Sequence, residues 1–481
     1  MAQLIIAMEN SQLTEALQTL SKEEFREFGK FLRSPFFNNR SEVIRLYEFL
    51  KLHYPMFKSS DISKEKIYSS VYPGKKFNDI LFRKVISLLV NQFQDYLYYR
   101  NAKNHTTEKD VRLLELRREK KLFGLFSKKE KKINENFNSA KHDFSLYELK
   151  FKAAASLNGV MLIKNEKEML KVFQKEHDEF TAYFLSFLLL QYIRLSEWSR
   201  IYNHKYDIRL FEEVISYLEK NRFEDHPLIP LYFNMLMLIK TGEDKYFEQL
   251  NLYRIMFSDK VEDINNYNIA LVLIQHCYKK IQQGFNDYRI KIFELTKFII
   301  ENDLIPPGYI EQYFFTNAVR YTASLKELDW CREFIGNFAE RLDPDIKDEI
   351  INYSYSMIEF HKGDFESSLR YLSAINIESA NMKYDIKNIQ AMNLYELGYF
   401  EQLLQHIDSY KHFIARDEKR TDEFKDNNKK FLNFTIQLLK FNGFGKKEEI
   451  SFFLNELKKS GYFNNKDWLI EKLDEIKKGA K

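Results

Sequence analysis

Glycine (14) and proline (8) are scarce in this chain of 481 residues, against a usual combined share of roughly 12%. These residues punctuate strands and tight turns, so their scarcity argues against a strand-and-turn architecture and for long helices joined by short polar connections. Cysteine is nearly absent as well. Cys277 and Cys331 stand alone without CxxC spacing, which excludes a disulfide framework and suits a reducing cytoplasm. No basic residue precedes the short apolar run at residues 4–8, so no secretory signal is expected at residues 1–20. The longest apolar stretch, residues 180–193, includes Gln191 and falls short of the roughly 20 residues that span a bilayer. The expectation is a cytoplasmic protein with no membrane span.

Hydrophobic residues make up 44% of the chain and charged residues 30%, ample material for an ordered core. The length exceeds one ordinary core of about 100–200 residues, which implies two or three domains or one extended by repetition. Aromatics reach 16%, with 43 Phe, 30 Tyr and 3 Trp, and 53 lysines stand against 21 arginines. Lys, Asn, Ile, Phe and Tyr share A/T-rich codons, so a low-G+C bacterial genome accounts for this bias without a recognition role. The net charge of +4 is close to balanced, whereas a dedicated nucleic-acid binder concentrates positive charge and favours Arg for forked phosphate contacts.

Along the chain the pattern divides into an N-terminal helical module (1–100), a charged helical connector (101–180), a run of helical hairpins (181–415) and C-terminal capping helices (416–481). In the module, Ser21-Lys-Glu-Glu24 reads as a capping box opening a helix with Phe25, Phe28, Phe31 and Leu32 on one face. Ser34-Pro35 ends it, because proline disfavours helix in the preceding residue. A second helix follows from Ser41 to about residue 52, and a long one spans about 79–99. The block Lys22-Glu-Glu-Phe25 through Ser34-Pro-Phe-Phe-Asn38 resembles the front of uncharacterised proteins of Bacteroidota-type bacteria. The connector is expected to hold helices at about 129–155 and 166–178.

From residue 180 the first helices of successive hairpins are expected near 180–195, 228–240, 266–280, 310–323, 350–361 and 384–396. Their partners fall near 206–220, 244–256, 287–301, 327–341, 365–376 and 399–414. Trp330, Phe365 and Phe400 are 35 residues apart in each step, and Phe247, Tyr288 and Trp330 are 41 and 42 apart. Recurrence of this length marks a solenoid. Gly363-Asp-Phe-Glu366 and Gly398-Tyr-Phe-Glu401 resemble the GDYDEA turn of tetratricopeptide repeats, and Leu342-Asp-Pro344 resembles the family's closing LDP. On this alignment Leu328 replaces the turn glycine, and the small residue of the second helix is Ser368 in one unit but Glu333 and Leu403 in its neighbours. The resemblance implies an all-α protein with an α-α superhelix that binds another protein or peptide segment. Helices near 421–440, 447–459 and 466–478 would cap its last apolar face.

Catalytic motifs are missing. There is no GxSxG and no Gx4GK[ST], and Gly443-Phe444-Gly445 lacks the third glycine and preceding strand of a phosphate cradle. No two histidines are spaced i, i+4. His276 and Cys277 are adjacent, so on a helix they point about 100° apart and make no nucleophile–base pair. Asp343, Asp345, Asp348 and Glu349 lack the turn glycine of an EF-hand loop and read as helix-capping carboxylates. No cofactor or metal is expected, and the chain reads as non-enzymatic.

Two candidate surfaces remain. In the tetratricopeptide register the inner face presents Phe315, Ala318, Thr322, Tyr353, Met357, Phe360, His361, Asn388, Met392 and Tyr395, an apolar and aromatic lining suited to a segment of a partner protein. Residues 103–132 carry 11 basic and 5 acidic residues. Arg112, Arg117, Arg118, Lys120, Lys121, Lys128 and Lys129 form a candidate polyanion patch for nucleic acid, although acidic residues interleave at spacings suited to intrahelical pairs.

Overall fold

The computed structural model describes residues 11–57, 62–104, 106–161, 166–202, 204–221, 223, 225–376, 380–418, 420–441, 447–461 and 463–479. Among them every regular element is helical: twenty-three α-helices, one short 3-10 turn, and no strand beyond an isolated bridge. The protein is all-α. No described helix is long and apolar enough to cross a membrane. The chain divides into two compact units, residues 1–139 with 152–172, and residues 140–151 with 173–481.

The first unit contains α1 (Gln12–Gln18), α2 (Lys22–Leu32), α3 (Ser41–Lys51), α4 (Lys64–Val71), α5 (Asp79–Asn104), α6 (Thr106–Glu119) and α7 (Phe123–Ser139). The expected capping box is present: Ser21 Oγ accepts from Glu24 N at 3.2 Å and the Glu24 carboxylate accepts from Ser21 N. Phe25, Phe28, Phe31 and Leu32 are all buried, and α2 stops one residue before Ser34-Pro35. Aromatic rings fill the centre. Phe28 meets Phe93 of α5 edge-on at 5.7 Å, and Phe25 stacks on Tyr47 of α3 at 5.0 Å. Tyr47 and Tyr96 donate to the carbonyls of Phe25 and Glu24, so both rings are buried with their hydroxyls satisfied.

The boundary between units runs through α8 (Phe144–Met161) and α9 (Glu166–Tyr202). Two expectations are corrected here. The single helix at 129–155 is two, α7 and α8, parted where His142 and Val261 form a parallel bridge, His142 N donating to the Lys260 carbonyl at 2.7 Å. The separate helices at 166–178 and 180–195 are one 37-residue helix, α9, because no glycine or proline interrupts them.

The second unit continues with α10 (Phe211–Lys220), α11 (Leu228–Thr241), α12 (Asp244–Phe257), α13 (Asp263–Gln282), α14 (Tyr288–Glu301), α15 (Gln312–Ser324) and α16 (Leu328–Phe338). It then runs through α17 (Lys347–Lys362), α18 (Phe365–Ser373), α19 (Ala380–Glu396), α20 (Phe400–Arg416), α21 (Asp422–Lys440), α22 (Lys447–Lys459) and α23 (Lys466–Gly479). From α11 to α21 each helix packs on the next, and α11 also meets α13 and α15 meets α17.

One backbone event recurs. After α11, α13, α15, α17 and α19 stands a residue with positive φ: Gly242 (68°), Gly284 (96°), Lys326 (65°), Gly363 (92°) and Gly398 (71°). In the last four turns the following residue donates its N–H to the carbonyl five positions back, Phe285 to Lys280, Glu327 to Thr322, Asp364 to Glu359 and Tyr399 to Leu394. This is the Schellman closure, which satisfies carbonyls that the helix end leaves open.

These turns fix the register and correct the alignment read from the aromatics. The left-handed residues are 42, 42, 37 and 35 apart, so the step from Lys326 to Gly363 is two residues longer than the spacing of Trp330 and Phe365. The residue in the glycine's place is Lys326, not Leu328. The partner of Ser368 is Cys331, not Glu333. Ser368 Oγ donates to the Ser356 carbonyl and Cys331 Sγ to that of Val319, each 12 residues back, and both side chains are fully buried.

Gly29, in the middle of α2, gives a test of packing in the first unit. A Cβ built there falls 2.6 Å from Cζ of Tyr47. Alanine in a helix interior gains about 0.5–1 kcal/mol over glycine, but overpacking a core costs about 1–3 kcal/mol. Gly29→Ala should therefore lower stability, by about 1 kcal/mol or more, and denaturant titration followed by circular dichroism measures it. A rise in midpoint would mean that Tyr47 shifts freely.

Candidate functional site

In the second unit, the turns after α13, α15 and α17 line one cavity of about 630 Å³ with α19, the end of α22 and α23. The Schellman turns place its walls: Gln283 and Gly284 from the first, Lys326 from the second, Lys362 and Gly363 from the third. Asn465, Lys466 and Trp468 supply the opposite side. The segment bearing them is pinned across the site. Arg289 pairs with Asp467 at 2.6 Å, the Trp468 indole N–H donates to Glu396 at 2.8 Å, and Lys472 pairs with Glu396 at 3.0 Å. Tyr395 meets the Trp468 ring edge-on at 5.3 Å.

Of the ten inner-face residues expected from the sequence, Met357, Phe360, His361 and Met392 line this cavity. The others do not reach it. Phe315, Thr322, Tyr353 and Asn388 are essentially inaccessible, as is Ala318. Phe315 packs on Phe334 of α16 at 4.9 Å, and the Asn388 amide donates to Asn428 of α21 at 3.0 Å while accepting from Tyr410. Tyr395 is spent on Trp468. The correction has a simple cause: on consecutive packed helices one face meets two neighbours, so the residues at its centre become inter-helix core and only those towards the helix ends reach solvent.

The site is electropositive. His361 is driven down to about 3, first by burial and then by the cations Lys326, Arg289 and Arg320, and is therefore neutral near pH 7. Burial also lowers Lys466. Arg320 pairs with Asp385 at 3.4 Å.

Chemistry elsewhere is muted. Burial pushes the thiols of Cys277 and Cys331 up to about 12, so both stay protonated and poorly nucleophilic. His276 faces Asp244 at 3.0 Å, away from its sequence neighbour. Asp343 Oδ1 accepts from Asp345 N at 3.0 Å, and Asp348 and Glu349 sit in the first turn of α17. Among the described residues no group of three or more His, Cys, Asp or Glu converges. Gly443-Phe444-Gly445 lies outside the described residues, as do residues 1–10.

In the first unit the polyanion patch is partly spent on internal contacts. Arg112 pairs with Glu115 and Lys129 with Asp110, while Arg117 and Arg118 donate to the carbonyls of Leu125 and Ala155. Lys120, Lys121 and Lys128 remain exposed.

Sequence reasoning missed the basic wall, because Arg289, Arg320, Lys326 and Lys466 come together only through packing. One signal was present: a lysine sits where the neighbouring turns have glycine. Compared with models of protein families, with curated proteins and with solved structures, the chain matches none.

Lys326 carries a conformational cost. A residue with a Cβ in the left-handed region loses roughly 1–2 kcal/mol, and glycine returns about 0.5–1 kcal/mol of that through its freer unfolded state. Lys326→Gly should raise stability by about 0.5–1 kcal/mol, read as an upward shift in thermal or denaturant midpoint. A clear fall would show that the lysine side chain stabilises the turn by more than its backbone strain.

Proposed function

We propose that residues 181–415 form a tetratricopeptide-like α-α superhelix and that the protein is a non-enzymatic scaffold, holding another protein or peptide segment against the face of its first helices. The observation that carries this reading is the recurrent left-handed closure. A left-handed residue follows five first helices at steps of 42, 42, 37 and 35 residues, and the last four of these turns share the same closing hydrogen bond. Stacked hairpins require such a unit, repeated so that each covers the apolar face of the next. The packing of α11 on α13 and of α15 on α17 agrees with it.

On this reading the partner engages the wall around Phe360, which is half-buried and beside Met357, His361 and Met392. Tyr353 is not a contact, since it is 1% exposed. A photo-crosslinking residue at position 360 should capture a discrete partner in the native cell. The same group at exposed Glu333, on a second helix, should not. Equal capture at both positions, or none at either, would remove this face as the binding surface.

A further inference from the structure

We propose that the cavity between the three turns and α23 binds a small polyanion, a molecule of metabolite size carrying several phosphate or carboxylate groups. This goes beyond the scaffold reading and does not depend on it. Several charges on the wall are already neutralised. Arg289 has Asp467, Arg320 has Asp385, Lys472 has Glu396, and Lys362 has Glu359 at 3.1 Å. These pairs leave Lys326, Lys458 and Lys466 in the wall, against the single carboxylate of Glu471.

Two of those ammonium groups are positioned but not compensated. Lys326 Nζ donates to the His361 carbonyl. Lys466 Nζ donates to the carbonyls of Ser460 and, at 3.2 Å, Lys458. Backbone carbonyls aim an ammonium group without cancelling its charge. Lys326 is exposed, whereas Lys466 is half-buried, and a partly desolvated cation without a counter-ion is unfavourable. Beside them the buried Nδ2 of Asn465, also in the wall, has no acceptor. Two uncompensated cations and a spare amide donor form the complement of an anion with several oxygens.

The backbone adds an independent reason. Of the five equivalent turn residues, four are glycine, and Lys326 alone has a Cβ at positive φ. Strain retained at one member of a repeated set points to a task for its side chain. That side chain lines the cavity, whose volume of about 630 Å³ lies within the roughly 300–1,000 Å³ usual for small-ligand sites. His361, kept neutral by burial and then by the surrounding cations, adds no further repulsion to the wall.

Isothermal titration calorimetry of the full chain at low salt, with sodium tripolyphosphate and separately with sodium citrate, tests the site and distinguishes phosphate from carboxylate ligands. Saturable one-to-one binding of at least one probe is expected, weakened tenfold or more by Lys326→Gly and by Lys466→Ala. It should be unchanged by a Lys120→Ala, Lys121→Ala, Lys128→Ala triple variant in the connector. Lys326→Gly decides the matter if Lys466→Ala fails to fold, because its backbone is relieved rather than strained. No saturable binding of either probe would overturn the proposal. So would binding that survives Lys326→Gly, or binding that the connector variant abolishes.

Discussion

The second unit depends on a single backbone constraint: after each first helix from α11 to α19, one residue turns to positive φ so that the chain can reverse. That residue decides where the helix ends, where its partner starts, and which side chains lie beside the turn. Glycine meets the demand without a Cβ to accommodate. Because the turns recur, turn residues as far apart as Gly284 and Gly363, about 80 positions, come to border one cavity. The site is a by-product of how the helices stop.

The first unit is built differently. Its order comes from interlocked aromatic rings on α2, α3 and α5, with tyrosine hydroxyls reaching back to main-chain carbonyls. The abundant rings are put to structural use: they supply nine of the 21 buried side chains of that core, and Gly29 gives Tyr47 the room it needs. Glu24 shows how local and distant terms meet in one side chain. It caps α2 through Ser21 and pairs with Arg100, 76 residues away. Its carboxyl is held below the usual range chiefly by the hydrogen bonds to Ser21, then by that to Arg100.

Helix positions were largely legible, because apolar periodicity and capping residues are local. The helices from α11 to α23 fall within a few residues of where the pattern puts them. What failed was long-range or subtle. The break at His142 depends on a partner more than 100 residues away, at Val261. The register around Trp330 was drawn from aromatic spacing, but Trp330 stands four residues after its left-handed residue and Phe365 only two after its own, so the two rings are not equivalent. Cys331 and Ser368 are equivalent through the carbonyls they reach, which spacing from the wrong anchor hid. The groove was half legible: Phe360 and His361, near the end of α17, reach the cavity, while Tyr353 and Asn388, deeper in their helices, are enclosed by neighbours.

The order of the wall residues along the chain has a temporal consequence. Those contributed by the turns and by α19 all precede residue 400, whereas Asn465, Lys466 and Trp468 follow some 70 residues after Glu396. At a synthesis rate of about 5–20 residues per second, that interval is on the order of 4–14 seconds. During it the turns have left the ribosome while one side of the cavity does not yet exist. Glu396, which later holds both Trp468 and Lys472, spends that time without either partner. A nascent chain and a finished one therefore present different surfaces to the same solution.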